Sequence, residues 1–163
     1  MPTPADTTLL LDAMLGKLAT YLRMCGYDTA YALDRGIEED SKLRELATAE
    51  GRTLLTRDTG LARQTDGAVL LRGRAIERQL SELITTGFEL ELSAPTRCSM
   101  CNGRLRSVRK NETTPSSTPS PTEQAVWRCQ ECDQLFWKGS HWRAVETRLA
   151  DLEGGRNETY RCD

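Results

Sequence analysis

The sequence predicts an α/β fold in which a parallel sheet is flanked by helices, with a small cysteine-rich module behind it. Short apolar runs alternate with segments of helical periodicity, the order that βαβ units require. The apolar runs are continuous rather than alternating, as is typical of parallel strands buried on both faces. Two Cys-x-x-Cys pairs lie beyond the alternating region. These three observations divide the chain into a larger α/β region and a smaller module.

The first strand and helix lie close to the N-terminus. Residues 7–11 form a continuous apolar run that predicts a strand, and the run ends at Asp12. A helix at residues 13–25 follows, because apolar side chains recur at helical spacing until Gly26, a residue that ends helices. Residues 27–32 predict the second strand.

The rest of the α/β region continues this order. Asp40 is placed to cap a helix at residues 41–50, and a third strand at residues 52–56 runs into Asp58. Ligands of parallel sheets bind beyond the carboxyl ends of the strands, where Asp12 and Asp58 are predicted to lie. The remaining predicted elements are a short strand at residues 68–71 and an amphipathic helix at residues 74–86.

Four of the six cysteines are predicted to bind one zinc ion. They form two pairs separated by 27 residues, Cys98 with Cys101 and Cys129 with Cys132. Each pair can sit on a tight turn that directs both sulfurs to one ion. Four thiolates leave no open coordination position, so the zinc is predicted to be structural. Redox disulfides and an iron–sulfur cluster are the alternatives.

Pro95 marks the boundary between the two regions. Residues 111–124 are rich in Pro, Ser and Thr and are predicted to form a disordered loop. The predicted organisation is therefore an α/β domain at residues 1–95, a zinc ribbon with this loop and a closing helix (141–149) at residues 96–150, and a flexible tail at residues 151–163.

Composition and charge favour a cytoplasmic protein without a membrane segment. The chain is 38% hydrophobic, and no apolar run approaches the roughly 20 residues that a membrane span requires. The N-terminus has neither a basic start nor an apolar stretch, so we expect no secretory signal.

Residues 1–96 carry 11 basic and 15 acidic side chains, whereas residues 97–148 carry 9 and 5. This asymmetry fits ordinary surface variation, and also an enzyme that binds metal in one lobe and phosphates in the other.

Asp12, Asp40 and Asp58 are candidate ligands of a second metal site. Neighbouring carboxylates repel one another unless a cation joins them. Mg²⁺ and Mn²⁺ are held by a few carboxylates together with water and phosphate oxygens, and such a site can activate water against a phosphodiester. Each acid taken alone is better explained as a helix cap. Their shared position at one edge of the sheet makes the metal site an equal alternative.

Basic and aromatic side chains are candidate contacts to nucleic acid. Lys17 lies near the start of the first helix and Arg57 adjoins Asp58, while Arg104 and Arg106 follow the first cysteine pair. Exposed basic residues are more often simply solvated. The aromatic residues of the ribbon either form its small core or stack on bases, and His141 is expected to pack or to contact RNA. These aromatic residues are Trp127, Phe136, Trp137 and Trp142.

Four segments of the chain resemble a known family, the PIN-domain ribonucleases of the Mut-seven C-terminal type. They are LLLDAMLGKLATYLRMCGYDT, DSKLRELATAEGRTLLTRDTGL, CSMCNGRL and WRCQECDQLFWKGSHW. The resemblance covers about residues 8–149. It implies a PIN-like nuclease domain followed by a zinc ribbon, with RNA as the substrate. It also implies that Asp12, Asp40 and Asp58 bind one or two Mg²⁺ or Mn²⁺ ions, with Asp34 as a candidate fourth acid.

Three functions stand as hypotheses. The first is a metal-dependent endoribonuclease whose ribbon aids RNA binding, and the sequence leaves open whether a protein partner regulates it. The second is a non-catalytic RNA-binding or protein-binding adaptor with a degenerate nuclease lobe. The third is a small-molecule phosphohydrolase, which a deep narrow pocket around the acids would indicate.

Overall fold

The computed structural model describes residues 2–159, with side chains described through residue 153. Strands and helices alternate through the first half of the chain, as predicted. The elements are β1 (Thr8–Leu11), a 3-10 turn (Ala13–Leu15), α1 (Gly16–Met24), β2 (Asp28–Tyr31), a 3-10 turn (Leu33–Arg35), α2 (Asp40–Glu50), β3 (Thr53–Thr56), α3 (Thr59–Gln64), β4 (Val69–Leu70), α4 (Ile76–Thr86), β5 (Leu105–Ser107), β6 (Trp127–Cys129), β7 (Leu135–Phe136) and α5 (Ser140–Thr159).

The first four strands form a parallel sheet in the order β2-β1-β3-β4. Leu10 of β1 pairs with Ala30 of β2 on one side and with Leu54 of β3 on the other. Leu10 and both its neighbours in β1 are fully buried, because helices cover both faces of the sheet. The predicted α/β class is confirmed.

Two apolar clusters lie on the two faces of this sheet. Side chains alternate along a strand, so Leu9 and Leu11 join the larger cluster with α1, α4 and α5, whereas Leu10 joins the smaller one with α2 and α3. Trp142 and Leu149 belong to the larger cluster, so the closing helix packs on the α/β layer.

Strands β5, β6 and β7 form a separate antiparallel sheet next to the cysteines. Residues 111–124 contain turns but neither helix nor strand, and Thr118 N–H donates to the Pro115 carbonyl at 2.9 Å. Helix α5 begins one residue before the predicted closing helix and continues well past residue 149. The predicted tail therefore starts inside α5, and its residues 160–163 lie outside the described residues. None of the helices that the structure describes is long and apolar enough to cross a membrane.

Candidate metal centres and nucleic-acid interface

The four predicted zinc ligands converge on one point. Their sulfur atoms all lie within 4.8 Å of one another. The Cys98 and Cys132 sulfurs are 3.7 Å apart, and the Cys101 and Cys129 sulfurs are 3.5 Å apart. Four sulfurs placed about 2.3 Å from a tetrahedral zinc are separated by roughly 3.8 Å, whereas a disulfide bond measures about 2.05 Å. The spacing fits a structural metal such as zinc, and all four thiols are free.

Two turns of similar backbone geometry present these sulfurs. The residue after each cysteine pair is in the left-handed region, with φ of 72° at Asn102 and 63° at Asp133. Asn102 N–H donates to the Cys98 carbonyl at 2.9 Å, and Asp133 N–H donates to the Cys129 carbonyl at 3.1 Å. Asn and Asp tolerate this conformation better than other non-glycine residues, so each pair carries its own turn residue.

Backbone N–H groups point at the sulfurs. Cys101 N–H donates to the Cys98 sulfur at 3.4 Å, and Cys132 N–H donates to the Cys129 sulfur at 3.5 Å. Such donors favour the thiolate that a metal needs. A side chain on Gly103 would place its Cβ 2.7 Å from the Cys129 sulfur. Glycine is therefore required where the two turns meet.

Asn102 also joins the first of these turns to the parallel sheet. Its side-chain oxygen accepts a hydrogen bond from Thr29 N–H at 2.9 Å, and its side-chain nitrogen donates to Asp28 at 2.8 Å. Thr29 and Asp28 belong to β2, the outermost strand on this side. Asp28 also accepts a hydrogen bond from Arg52 at 2.9 Å. Burial raises the pKa of Asp28, but the hydrogen bonds from Asn102 and Arg52 outweigh it, so the pKa lies below its usual value.

Arg23 of α1 provides a second link between the sheet and the cysteines. Its side chain is 4% exposed, and it donates to the carbonyls of Ser99 and Met100 at 3.3 Å each and to that of Thr29 at 3.0 Å. It also forms an ion pair with Asp34 at 3.1 Å. Asp34, the candidate fourth acid, is thus already paired. Neither Arg23 nor Asn102 was predicted from the sequence, although an arginine within an apolar helix was a signal.

Asp12 and Asp58 lie at the ends of two adjacent strands, β1 and β3, and Thr56 joins them. We call this edge of the sheet the acidic edge. The buried Thr56 hydroxyl donates to the Asp12 carboxylate at 2.8 Å and accepts a hydrogen bond from Asp58 N–H at 3.0 Å. The Asp12 carboxylate accepts from Ala13 N–H at 2.7 Å, and that of Asp58 accepts from Leu61 N–H at 3.0 Å. Asp58 therefore caps α3, as the alternative interpretation predicted, whereas Asp12 caps the 3-10 turn that precedes α1.

Asp40 occupies a different position from the one predicted. It is the first residue of α2 and Glu39 holds the capping position, so the expectation that Asp40 caps this helix is wrong. Its side chain is exposed. Within the described residues, the cysteines form the one group of three or more Cys, His, Asp or Glu side chains whose ligand atoms all lie within 4.8 Å. The three aspartates are not gathered to that distance, and their role as metal ligands stays a prediction.

Tyr31 packs beside the acidic edge. Its hydroxyl donates to the Ala13 carbonyl at 2.6 Å. A side chain on Gly16 would place its Cβ 2.9 Å from this hydroxyl, so glycine allows the close packing. Burial raises the pKa of Tyr31, and the charges of Asp34 and Asp12 raise it further. The tyrosine thus lies within the field of both acids, a position that the sequence did not reveal.

The four predicted phosphate contacts lie in different environments. Lys17 and Arg104 are exposed, whereas Arg57 is half-buried. Arg57 Nε is buried and has no hydrogen-bond partner in the part of the chain that is described. Arg106 forms an ion pair with Glu112 at 3.1 Å, so its charge is already partly neutralised.

Among the described residues, the three most prominent cavities are not lined by Asp12, Asp40 or Asp58. The smallest has a volume of about 260 Å³ and lies where α1, β7 and the start of α5 meet. The other two, of about 750 Å³ each, lie beside α2 and along α5. A deep pocket around the acids, the expected sign of a phosphohydrolase, is not among them.

Comparison with known proteins gives one match. A protein-family model described as the Mut7-C RNAse domain matches residues 7–149. The matched segment is nearly the whole chain and contains the three aspartates and the four cysteines discussed above. No curated protein and no solved structure matches the chain.

Proposed function

Because the chain belongs to the Mut7-C RNAse domain family, we propose that it is a metal-dependent ribonuclease that cleaves RNA at the acidic edge. The observation that carries this proposal is the buried Thr56 hydroxyl, which joins Asp12 to the backbone of Asp58. Two carboxylates are thereby held at neighbouring strand ends, the place where parallel sheets bind ligands. The edge is not one of the three cavities, which suits a long polymer better than a small phosphate ester.

The residues at the acidic edge fit Mg²⁺ or Mn²⁺. Both ions prefer oxygen ligands, and Mg²⁺ is commonly held by one or two carboxylates with water and substrate phosphates. Asp12 and Asp58 would supply these carboxylates, and Asp40 would add a third from the start of α2. A bound cation supplies an activated water and stabilises the charge that develops on the phosphodiester. Thr56 and Ala13 N–H fix the Asp12 carboxylate, so its orientation is set beforehand.

Basic side chains in both lobes would hold the RNA backbone. Lys17 and Arg57 lie close in sequence to the acids, and Arg104 follows the first cysteine pair. Residues 97–148 carry 9 basic and 5 acidic side chains, so this lobe attracts phosphates. The zinc would act structurally, since four thiolates leave no position for water or substrate.

Cleavage of a labelled RNA with Mn²⁺ or Mg²⁺ tests the proposal. We expect the wild type to cleave only with the metal, and Asp12→Asn to be slower by a factor of about 100 or more. Asp66→Asn is the control, because it removes the same charge from an exposed side chain in the loop after α3. A circular RNA tests internal cleavage, because an enzyme that needs a free end cannot cut it. Undiminished cleavage by Asp12→Asn would contradict the assignment of the acidic edge.

An adaptor without catalytic activity is the second candidate. The three aspartates are not gathered within 4.8 Å of one another, which favours the adaptor because no complete ligand set exists before a cation binds. Folded, zinc-loaded wild type that binds several RNAs or a regulatory protein, yet cleaves none with either metal, would support the adaptor and exclude the nuclease.

A further inference from the structure

The cavity beside the cysteines has preformed aromatic walls. Phe136, Trp137, His141 and Trp142 line it, and Arg97 and Ser99 contribute polar groups. Phe136 and Trp137 are only half-buried, so part of each ring surface stays exposed outside the small core of the ribbon. A side chain on Gly139 would place its Cβ 2.7 Å from Trp137 Nε1. Gly139 therefore lets the indole of Trp137 lie against the turn before α5.

Trp142 contributes a rigid and largely buried ring to the lining of this cavity, and the residue is only 7% exposed. The polar groups of the lining come from Arg97, Ser99 and His141. Arg97 and Ser99 are half-buried and His141 is exposed. The cavity thus combines flat aromatic walls with hydrogen-bonding side chains, one of which is cationic.

These properties define the class of ligand. The volume of about 260 Å³ lies below the roughly 300–1,000 Å³ of pockets for drug-sized ligands, which leaves room for one planar ring system. A ring of this kind must stack on aromatic faces and exchange hydrogen bonds with the polar side chains of the lining. A base of single-stranded RNA satisfies both conditions, because it is planar and its edge carries carbonyl oxygens and ring nitrogens that accept hydrogen bonds.

We propose that this cavity binds one unpaired base of the RNA substrate and thereby positions the strand on the ribbon. The proposal rests on RNA being the substrate and adds a site away from the acidic edge. Arg23 connects the cavity to the parallel sheet, because it donates to the Ser99 carbonyl at the cavity wall and to the Thr29 carbonyl of β2. A base held in the cavity would therefore lie beside a wall that is hydrogen-bonded to the lobe that carries the acids.

The test separates binding from cleavage by using Asp12→Asn protein throughout. Affinity for labelled single-stranded oligonucleotides is measured by fluorescence anisotropy, with zinc content and thermal unfolding as checks of folding. Adding Trp137→Leu is expected to weaken binding about 5- to 150-fold, the contribution of one stacked base. Trp137→Phe is the matched control, because it keeps an aromatic face at the same position of the lining. It is expected to retain most of the affinity that Trp137→Leu loses.

Oligonucleotides with one abasic position identify the base itself. At one position, loss of the base is expected to weaken binding to the Asp12→Asn protein but not to the protein that also carries Trp137→Leu. The Trp142 Nε1–H resonance is expected to shift when the intact oligonucleotide is added. Equal affinities of the two tryptophan variants, or equal effects of every abasic position in both proteins, would overturn the proposal, as would binding of peptides but not RNA.

These outcomes are independent of the proposed catalytic activity. Position-dependent loss of binding together with inactive wild type would retain the base site in an adaptor. Active wild type together with unchanged binding by Trp137→Leu would retain the nuclease and exclude the base site.

Discussion

The cysteine cluster and the acidic edge differ in how far the protein assembles them before a metal binds. The cysteine sulfurs already stand 3.5–3.7 Å apart across the cluster, with N–H groups directed at them. At the acidic edge, a threonine hydroxyl joins the Asp12 carboxylate to the Asp58 backbone, and the three carboxylates are not gathered within 4.8 Å of one another. Uncompensated carboxylates repel one another, so full assembly is left to the cation and the substrate phosphates. A structural site is thus complete in advance, whereas the proposed catalytic site is completed by what it binds.

Loss of one zinc ligand is expected to have the largest effect. Cys129→Ser removes a buried thiolate, so we expect loss of zinc and a fall in the free energy of unfolding of more than about 5 kcal/mol. Elemental analysis and urea unfolding measure both quantities. Cys25→Ala is the control, because Cys25 is buried in the apolar core and should leave the zinc content unchanged. Full zinc retention by Cys129→Ser would contradict a four-cysteine site.

Loss of the Thr56 hydroxyl, which links the Asp12 carboxylate to the Asp58 backbone, is expected to have the next largest effect. Thr56→Val keeps the shape of the side chain but removes the hydroxyl that contacts Asp12 and Asp58 N–H. We expect about 10- to 100-fold slower RNA cleavage and a higher Mn²⁺ concentration at half-maximal rate, because the carboxylate is less well oriented. Thr53→Val, at the other end of β3, should leave the cleavage rate and its Mn²⁺ dependence nearly unchanged. Equal metal titrations for the two variants would show that Thr56 does not organise the acidic edge.

The two cysteine turns offer a third comparison, between Asn102 and Asp133. Both have left-handed backbones, but only Asn102 makes the side-chain hydrogen bonds described above to Thr29 and Asp28. Asp133→Ala should lower the free energy of unfolding by about 1 kcal/mol through backbone strain alone. Asn102→Ala should lower it by about 1–3 kcal/mol more, because it also leaves a buried N–H unpaired. Urea unfolding with zinc present measures both, and equal losses would refute the coupling between ribbon and sheet.

The smallest expected effect comes from Gly16→Ala. Alanine usually stabilises a helix relative to glycine by about 0.5–1 kcal/mol. Here the added Cβ would meet the Tyr31 hydroxyl at 2.9 Å, so we expect a loss of about 1 kcal/mol instead. Combining it with Tyr31→Phe removes the crowded oxygen and should recover part of the loss. Thermal unfolding of the wild type, the two single variants and the double variant measures these changes. A stabilising Gly16→Ala would contradict the tight packing.

The features that the sequence predicted are those encoded by neighbouring residues. A cysteine pair on a tight turn and an apolar run that ends in an acid are both local patterns, so the zinc ligands and the strand-end positions of Asp12 and Asp58 could be predicted. Arg23 could not be assigned in the same way, because its partners Ser99 and Met100 lie more than 70 residues away. Thr56 was equally hidden, since its role depends on the pairing of β1 with β3.

The errors have related physical causes. Asp40 was taken as a helix cap because of its residue type, but Glu39 is extended and holds that place. Helix α5 was predicted to end at residue 149 because the later residues are polar and contain two glycines, whereas it continues to Thr159. Trp142 and Leu149 anchor the predicted part to the core, and the partly buried Leu152 extends these contacts beyond the predicted end.

The hydrogen bonds of Asn102 have a further consequence for the zinc-free protein. Strand β2 borders the parallel sheet, and a bare border of this kind is a template for strand addition by another chain. The amide of Asn102 occupies one position of that template and keeps the cysteine turn against it. Chelation of the metal should therefore do more than loosen the ribbon: it should make the protein associate through β2, with self-association rising as zinc is withdrawn and reversing when zinc is restored.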